Sequence, residues 1–107
     1  MVDKEKLRQK IHFIRENLHK LEGLKIITYK EFAQGPYYFD ASLRMLQVAI
    51  EAMIDICNHV VARKGLGIPK NYRDGFRILT DHKILDPKML DTYIRMTKFR
   101  NRIVHIY

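Results

Sequence analysis

Four side chains capable of chemistry fall close together at the end of the chain, in the segment Arg100-Asn101-Arg102-Ile103-Val104-His105-Ile106-Tyr107. Arg100 offers a planar, bidentate phosphate donor, Asn101 a carboxamide, His105 an imidazole, and Tyr107 a phenol. This set suits proton transfer at His105 and stabilisation of anionic charge by Arg100. Residue types alone leave His105 open as general base, general acid or binding group. Asn101 could orient His105 or hold a phosphate oxygen. Each also has a plainer reading: His105 as a favourable cation at a helix C-terminus, and Tyr107 as a packing residue with an exposed hydroxyl.

On a regular helix with Met96 at zero, Arg100 falls at about 40° and Tyr107 at about 20°, whereas Asn101 and His105 fall at about 140° and 180°. Arg100 and Tyr107 then share one margin, about 10 Å apart along the axis. Asn101 and His105 share another face. No single regular helix gathers all four, so a site using them all needs a second copy of the chain or an irregular helix end.

Glu51 and Asp55 lie one helical turn apart, and could be metal ligands or partners of basic side chains. With no third ligand at helical spacing, pairing with a cation such as Arg100 is the better reading, and no metal is expected. Arg44 and Gln47 continue the same strip. His12, His19, His59 and His82 follow no ligand spacing and read as surface or packing residues.

These residues need helices to place them. In residues 3–21 the series Leu7, Ile11, Ile14, Leu18, Leu21 repeats at three- and four-residue steps, with Asp3 as cap and Gly23 as stop. Residues 24–35 read as a connector with a short helical turn at 29–32, ended by Gly35-Pro36. The longest helix is expected over 37–63. It carries one apolar row at Leu43, Leu46, Ile50, Met53, Cys57 and Val60, and a second at Ala41, Met45, Val48, Ala52 and Ile56. A helix apolar on two sides must be covered twice, which favours a homodimer; a central helix sandwiched within one bundle is the alternative. Gly65, Gly67 and Pro69 mark a loop, a third helix is expected over 73–82, and Asp86-Pro87 starts a last helix with inward residues Met89, Tyr93, Met96, Phe99, Ile103 and Ile106. With no alternating strand pattern, the fold class is all-α: an up-and-down four-helix bundle with an additional short helix.

At 107 residues and 47% hydrophobic composition, the chain fits one domain with one core. Twenty Lys and Arg against 12 Asp and Glu give a formal charge of +8, which favours polyanionic partners. The single cysteine, Cys57, excludes a disulfide framework and fits a reducing cytoplasm. The charged start and the lack of an apolar run near 18 residues lead to the expectation of no signal peptide, no membrane span and no membrane partner.

The arrangement Arg100-x4-His105-x-Tyr107 resembles the motif of HEPN toxins of the HepT type. The likeness extends to Leu46-Gln47-Val48-Ala49-Ile50-Glu51-Ala52 with Asp55-Ile56 and His59, and to Ile68-Pro69-Lys70-Asn71-Tyr72-Arg73 followed by Phe76. The resemblance implies the toxin of a type VII-like toxin–antitoxin pair, a metal-independent endoribonuclease with RNA as substrate and no cofactor. Arg100 and His105 would be catalytic, and Asn101, Glu51 and Asp55 supporting. It further implies a cleft between two protomers, and a minimal nucleotidyltransferase antitoxin that adds AMP to Tyr107. Members usually continue past this tyrosine into a last helix, so residues 1–107 read as a single HEPN-like domain lacking it. The alternative is a non-catalytic helical module that binds the nucleotidyltransferase or RNA.

Overall fold

The computed structural model describes residues 2–106. Its α-helices are α1 (Lys4–Glu22), α2 (Tyr29–Gln34), α3 (Tyr38–Lys64), α4 (Asp74–Asp81) and α5 (Leu90–Ile106), with short 3₁₀ turns at Gly23–Ile26 and Pro87–Met89. The local signals explain the boundaries. The Asp3 carboxylate accepts from the Lys6 amide to cap α1. Thr28 caps α2 in the same way through the Glu31 amide, so the expected turn at 29–32 is a full short helix. Gly65 ends α3 in the left-handed conformation at φ 63°, with the Leu66 amide donating to the Val61 carbonyl. Asp86 caps the turn that leads into α5, with Pro87 in its first position.

α3 is the central element, and α1, α4 and α5 all pack on it. Contacts of Asp3 with His59 and Lys10 with Asp55 run α1 antiparallel to α3. Glu51 beside Arg100 at one level and Cys57 near Tyr93 at the other do the same for α5. The core sits in the C-terminal half of α3, where Ile50, Ile54, Cys57, Val60 and Val61 meet Phe76 and Leu79 of α4. Leu7, Tyr93 and Met96 close it from α1 and α5. Phe76 and Tyr93 stack with ring centroids 4.9 Å apart. α4 can come this close because its second residue is Gly75: a β-carbon there would lie 2.8 Å from Asn58 Oδ1 and 3.1 Å from Cys57 Cβ.

Three expectations change. The second apolar row of α3, in which Ala52 is buried and Met45, Val48 and Ile56 are half-buried, runs in part on the flank that α1 covers near Phe13 and Lys10. Of this row Val48 and Ala52 border α1, Ile56 lies on the side of α4 and α5 beside Phe76 and Tyr93, and Ala41 is exposed, so the row is covered only in part within the chain. On α1, Asn17 is buried and bonds the Phe13 carbonyl, whereas Ile11 and Leu18 are exposed. On α5, Thr97 is fully buried while Phe99 is exposed, as is Met89 in the turn before it. Both helices are rotated from their apolar stripes, and between them Ile14, Leu18, Met96 and Phe99 wall an apolar groove of about 480 Å³ floored by Leu46, Ala49, Ile50 and Met53. α3 itself reaches the length and hydropathy of a membrane span, its window averaging 1.4, contrary to the expectation that no segment does. In the fold it is the helix the others pack around, with Arg44, Glu51 and Asp55 along one side.

Candidate active site

Arg100 lies on the mid-line of the buried arc of α5, between Thr97 and Ile103, which are 0% and 1% exposed. The sequence places it only on the margin. The shift follows from the rotation of α5: turning Phe99 toward the groove carries Arg100 against α3. Its side chain keeps 15% of its exposure, with Nε 3.7 Å from Glu51 Oε1. That separation is an ion pair without a hydrogen bond. Both atoms are buried and have no hydrogen-bond partner among the described residues.

Two more contacts hold the guanidinium. Nη1 donates to Asn101 Oδ1 at 3.2 Å, and the central carbon sits 4.6 Å from the ring centroid of Tyr72. Stacking occupies the guanidinium face and leaves its N–H edges available. With one Nη1 donor committed and Nε buried against Glu51, the other Nη donors remain for an anion. Tyr72 enters from the loop before α4, and the spacing of apolar residues gives no signal for it. Gly65, Gly67 and Pro69 mark the loop, and the likeness of Ile68-Pro69-Lys70-Asn71-Tyr72-Arg73 to the HepT pattern is what ties it to the family.

The other candidates are dispersed. His105 is exposed in the last turn of α5, and no described residue holds its imidazole by a hydrogen bond. Asn101, one turn before it, is half-buried and committed to Arg100. Asp55 stands away from Arg100 and pairs with Lys10 of α1 at 3.3 Å. Tyr107 lies outside the described residues. Two hollows lie near this cluster: one of about 470 Å³ lined by Asp40, Arg44, Gln47 and Val104, the last one turn beyond Arg100, and one of about 430 Å³ lined by Asn58, Pro69, Lys70, Asn71 and Tyr72. Among the described residues, no three His, Cys, Asp or Glu side chains cluster as a metal site would need. His12 faces Glu16 at 2.7 Å and His59 accepts from the Asp3 amide at 3.1 Å, both outside this site.

The Ribonuclease HepT-like family model matches residues 14–107. The chain belongs to the HepT-like ribonuclease family. The mRNA nuclease HepT of Shewanella oneidensis is 35% identical over 77 residues, which are 72% of this chain and 58% of that protein. The chain thus spans little more than half the length of this curated relative. A toxin–antitoxin complex with AMP-PNP contains a chain that superposes with a TM-score of 0.87 at 29% identity, over 94% of this chain and 76% of that one. The tri-AMPylated HEPN toxin of Shewanella oneidensis in complex with MNT antitoxin gives the same score and identity, over 95% and 76%. The all-helical fold of this HepT-like chain is that of these HEPN toxins.

Proposed function

We propose that the protein is the toxin of a type VII-like toxin–antitoxin pair, a metal-independent endoribonuclease that acts through Arg100, His105 and Tyr107 at a cleft between two protomers in the cytoplasm. The observation that carries this reading is the half-buried Arg100 guanidinium, stacked on Tyr72 and making one hydrogen bond, to Asn101, among the described residues. Membership of the HepT-like family and the mRNA nuclease among its relatives support it. In the reaction, the ribose 2′-hydroxyl loses its proton to a base, O2′ bonds to phosphorus, and the P–O5′ bond breaks. The leaving oxygen takes up a proton, giving a 2′,3′-cyclic phosphate and a 5′-hydroxyl. His105 serves as a proton-transfer group and Arg100 stabilises the phosphorane. Because Arg100 and His105 sit about 140° apart around one helix, the second copy supplies the complementary half of the site.

A nucleotidyltransferase antitoxin neutralises the toxin by adding AMP to Tyr107, which places bulk and negative charge beside the cleft. AMPylation of the similar toxin in complex with MNT antitoxin supports this step. The deciding measurement is cleavage of RNA in EDTA by the purified protein and by His105→Ala and Arg100→Ala. Loss of cleavage in both variants is expected, and cleavage persisting in both overturns the reading. RNA binding without turnover by the wild type would instead favour a non-catalytic binding module. Intact mass after co-expression with a candidate nucleotidyltransferase partner tests the AMP on Tyr107.

A further inference from the structure

Among the described residues Tyr72 is the one aromatic group that touches the candidate catalytic guanidinium, and nothing in the motif at the chain's end assigns it a role. Its own position is unusually well fixed for a loop residue. Asn71 Oδ1 accepts from the Arg73 and Asp74 amides at 2.9 and 3.1 Å, and the Lys70 amide donates to Asp74 Oδ2 at 2.8 Å. The backbone on both sides of Tyr72 is therefore tied to the start of α4. α4 in turn is pressed onto α3 at Gly75. A rigid line of contacts runs from the core through Gly75, Asp74 and Asn71 to the Tyr72 ring, and from there to Arg100.

We propose that Tyr72 is a positioning residue for Arg100: its ring fixes the plane of the guanidinium so that the N–H edges, held off Glu51, face the phosphate. This rests on the ribonuclease reading above. The physical argument is a comparison of partners. A carboxylate in bidentate contact would occupy the very edge that must meet phosphate. An aromatic face attracts the cation through its quadrupole and takes none of the donors. Glu51 at 3.7 Å supplies compensating charge without a hydrogen bond, and the Asn101 carboxamide holds one Nη1 donor, so the ring is left to set the plane of the remaining edges. Tyr72 is 48% exposed, so the ring can be truncated without opening the core. Its hydroxyl makes no hydrogen bond among the described residues, and the role assigned here belongs to the ring.

The test compares Tyr72→Leu and Tyr72→Phe, using a fluorophore-labelled single-stranded RNA oligonucleotide and the ¹H–¹⁵N signal of Arg100 Nε–H, assigned by its disappearance in Arg100→Lys. For Tyr72→Leu the expectation is a fall in kcat of about 10- to 100-fold, the scale of a misplaced catalytic group. KM should change less, the pH profile should keep its shape, the melting temperature should stay close to wild type, and the ring-current shift of the Arg100 signal should disappear. Tyr72→Phe should restore both rate and signal. An unmoved Arg100 signal in Tyr72→Leu, or a Tyr72→Phe enzyme as slow as Tyr72→Leu, overturns the proposal. Should the wild type fail to cleave any RNA, the ribonuclease reading falls, while the Arg100 signal still decides whether the ring holds the guanidinium.

Discussion

Arg100 Nε and Glu51 Oε1 face each other across 3.7 Å, close enough for attraction and too far for a hydrogen bond. The two partners are unequally buried: the arginine side chain is 15% exposed and the glutamate 36%. Removing either charge should therefore have unequal consequences. Glu51→Gln leaves a poorly hydrated cation unpaired and should cost about 1–2 kcal/mol, between the values for exposed and buried pairs. Arg100→Met replaces the cation by an apolar chain of similar reach, and should leave stability within about 1 kcal/mol of wild type or raise it, at the expense of activity. Urea denaturation of both variants checks this. A larger loss in Arg100→Met than in Glu51→Gln would show that the guanidinium is held for stability.

Charge alone should not sustain the reaction. Arg100→Lys keeps the positive charge but loses the planar fork and its stacking on Tyr72, so kcat should fall by about 100-fold or more. RNA affinity, measured by fluorescence anisotropy in a His105→Ala background to prevent turnover, should fall by less than about tenfold. Equal losses in affinity and rate would mean that Arg100 contributes ground-state binding only.

The helices were readable from the sequence where short-range chemistry determines them. Asp3, Gly65 and Asp86-Pro87 mark boundaries through caps and a left-handed residue, and these depend on neighbours a few positions away. Which side of a helix faces inward is settled by the partner helix. Thr97 is buried because its hydroxyl finds the Ile94 carbonyl at 2.7 Å inside the same helix, so a polar side chain costs little there. Phe99 is exposed because it borders the groove rather than α3. The two apolar rows of α3 were visible, but their cover was not, since α1 could only be placed on that flank by tertiary packing. Arg100, Asn101 and His105 were named from type and spacing. Tyr72 was not singled out, because its contact with Arg100 is made across the fold by a loop that has no period to read.

The close approach of α4 to α3 should be intolerant of a single methyl group. At Gly75 a β-carbon would stand 2.8 Å from Asn58 Oδ1 and 3.1 Å from Cys57 Cβ. The amide of Asn58 can rotate away, but the Cys57 β-carbon moves only with the backbone of α3. Gly75→Ala should thus destabilise by about 1–3 kcal/mol in spite of alanine's better helix propensity. Because α4 carries the loop of Tyr72, the Arg100 signal should also broaden or shift. A Gly75→Ala protein as stable as wild type would mean that α4 sits further from α3.

Cys57 gives the fold a dependence on alkaline pH. It is 4% exposed in the core, and burial pushes its thiol from 9.0 up to about 12. The folded state therefore keeps the proton more tightly than the unfolded chain does. The stability tied to this group is complete below about pH 9 and is lost as pH rises toward 12, because only the unfolded chain gains by ionising. Between about pH 8 and pH 10 this amounts to about 1.4 kcal/mol. Lysines and tyrosines titrate in the same range, so the quantity to measure is the difference between wild type and Cys57→Ala. The alanine variant should be less stable at pH 8 because of its cavity, yet lose about 1.4 kcal/mol less on going to pH 10. A thiol reagent should react with the wild type only at the rate of unfolding. Rapid labelling under native conditions, or identical alkaline losses in the two proteins, would show that the thiol is reached by water in the folded state.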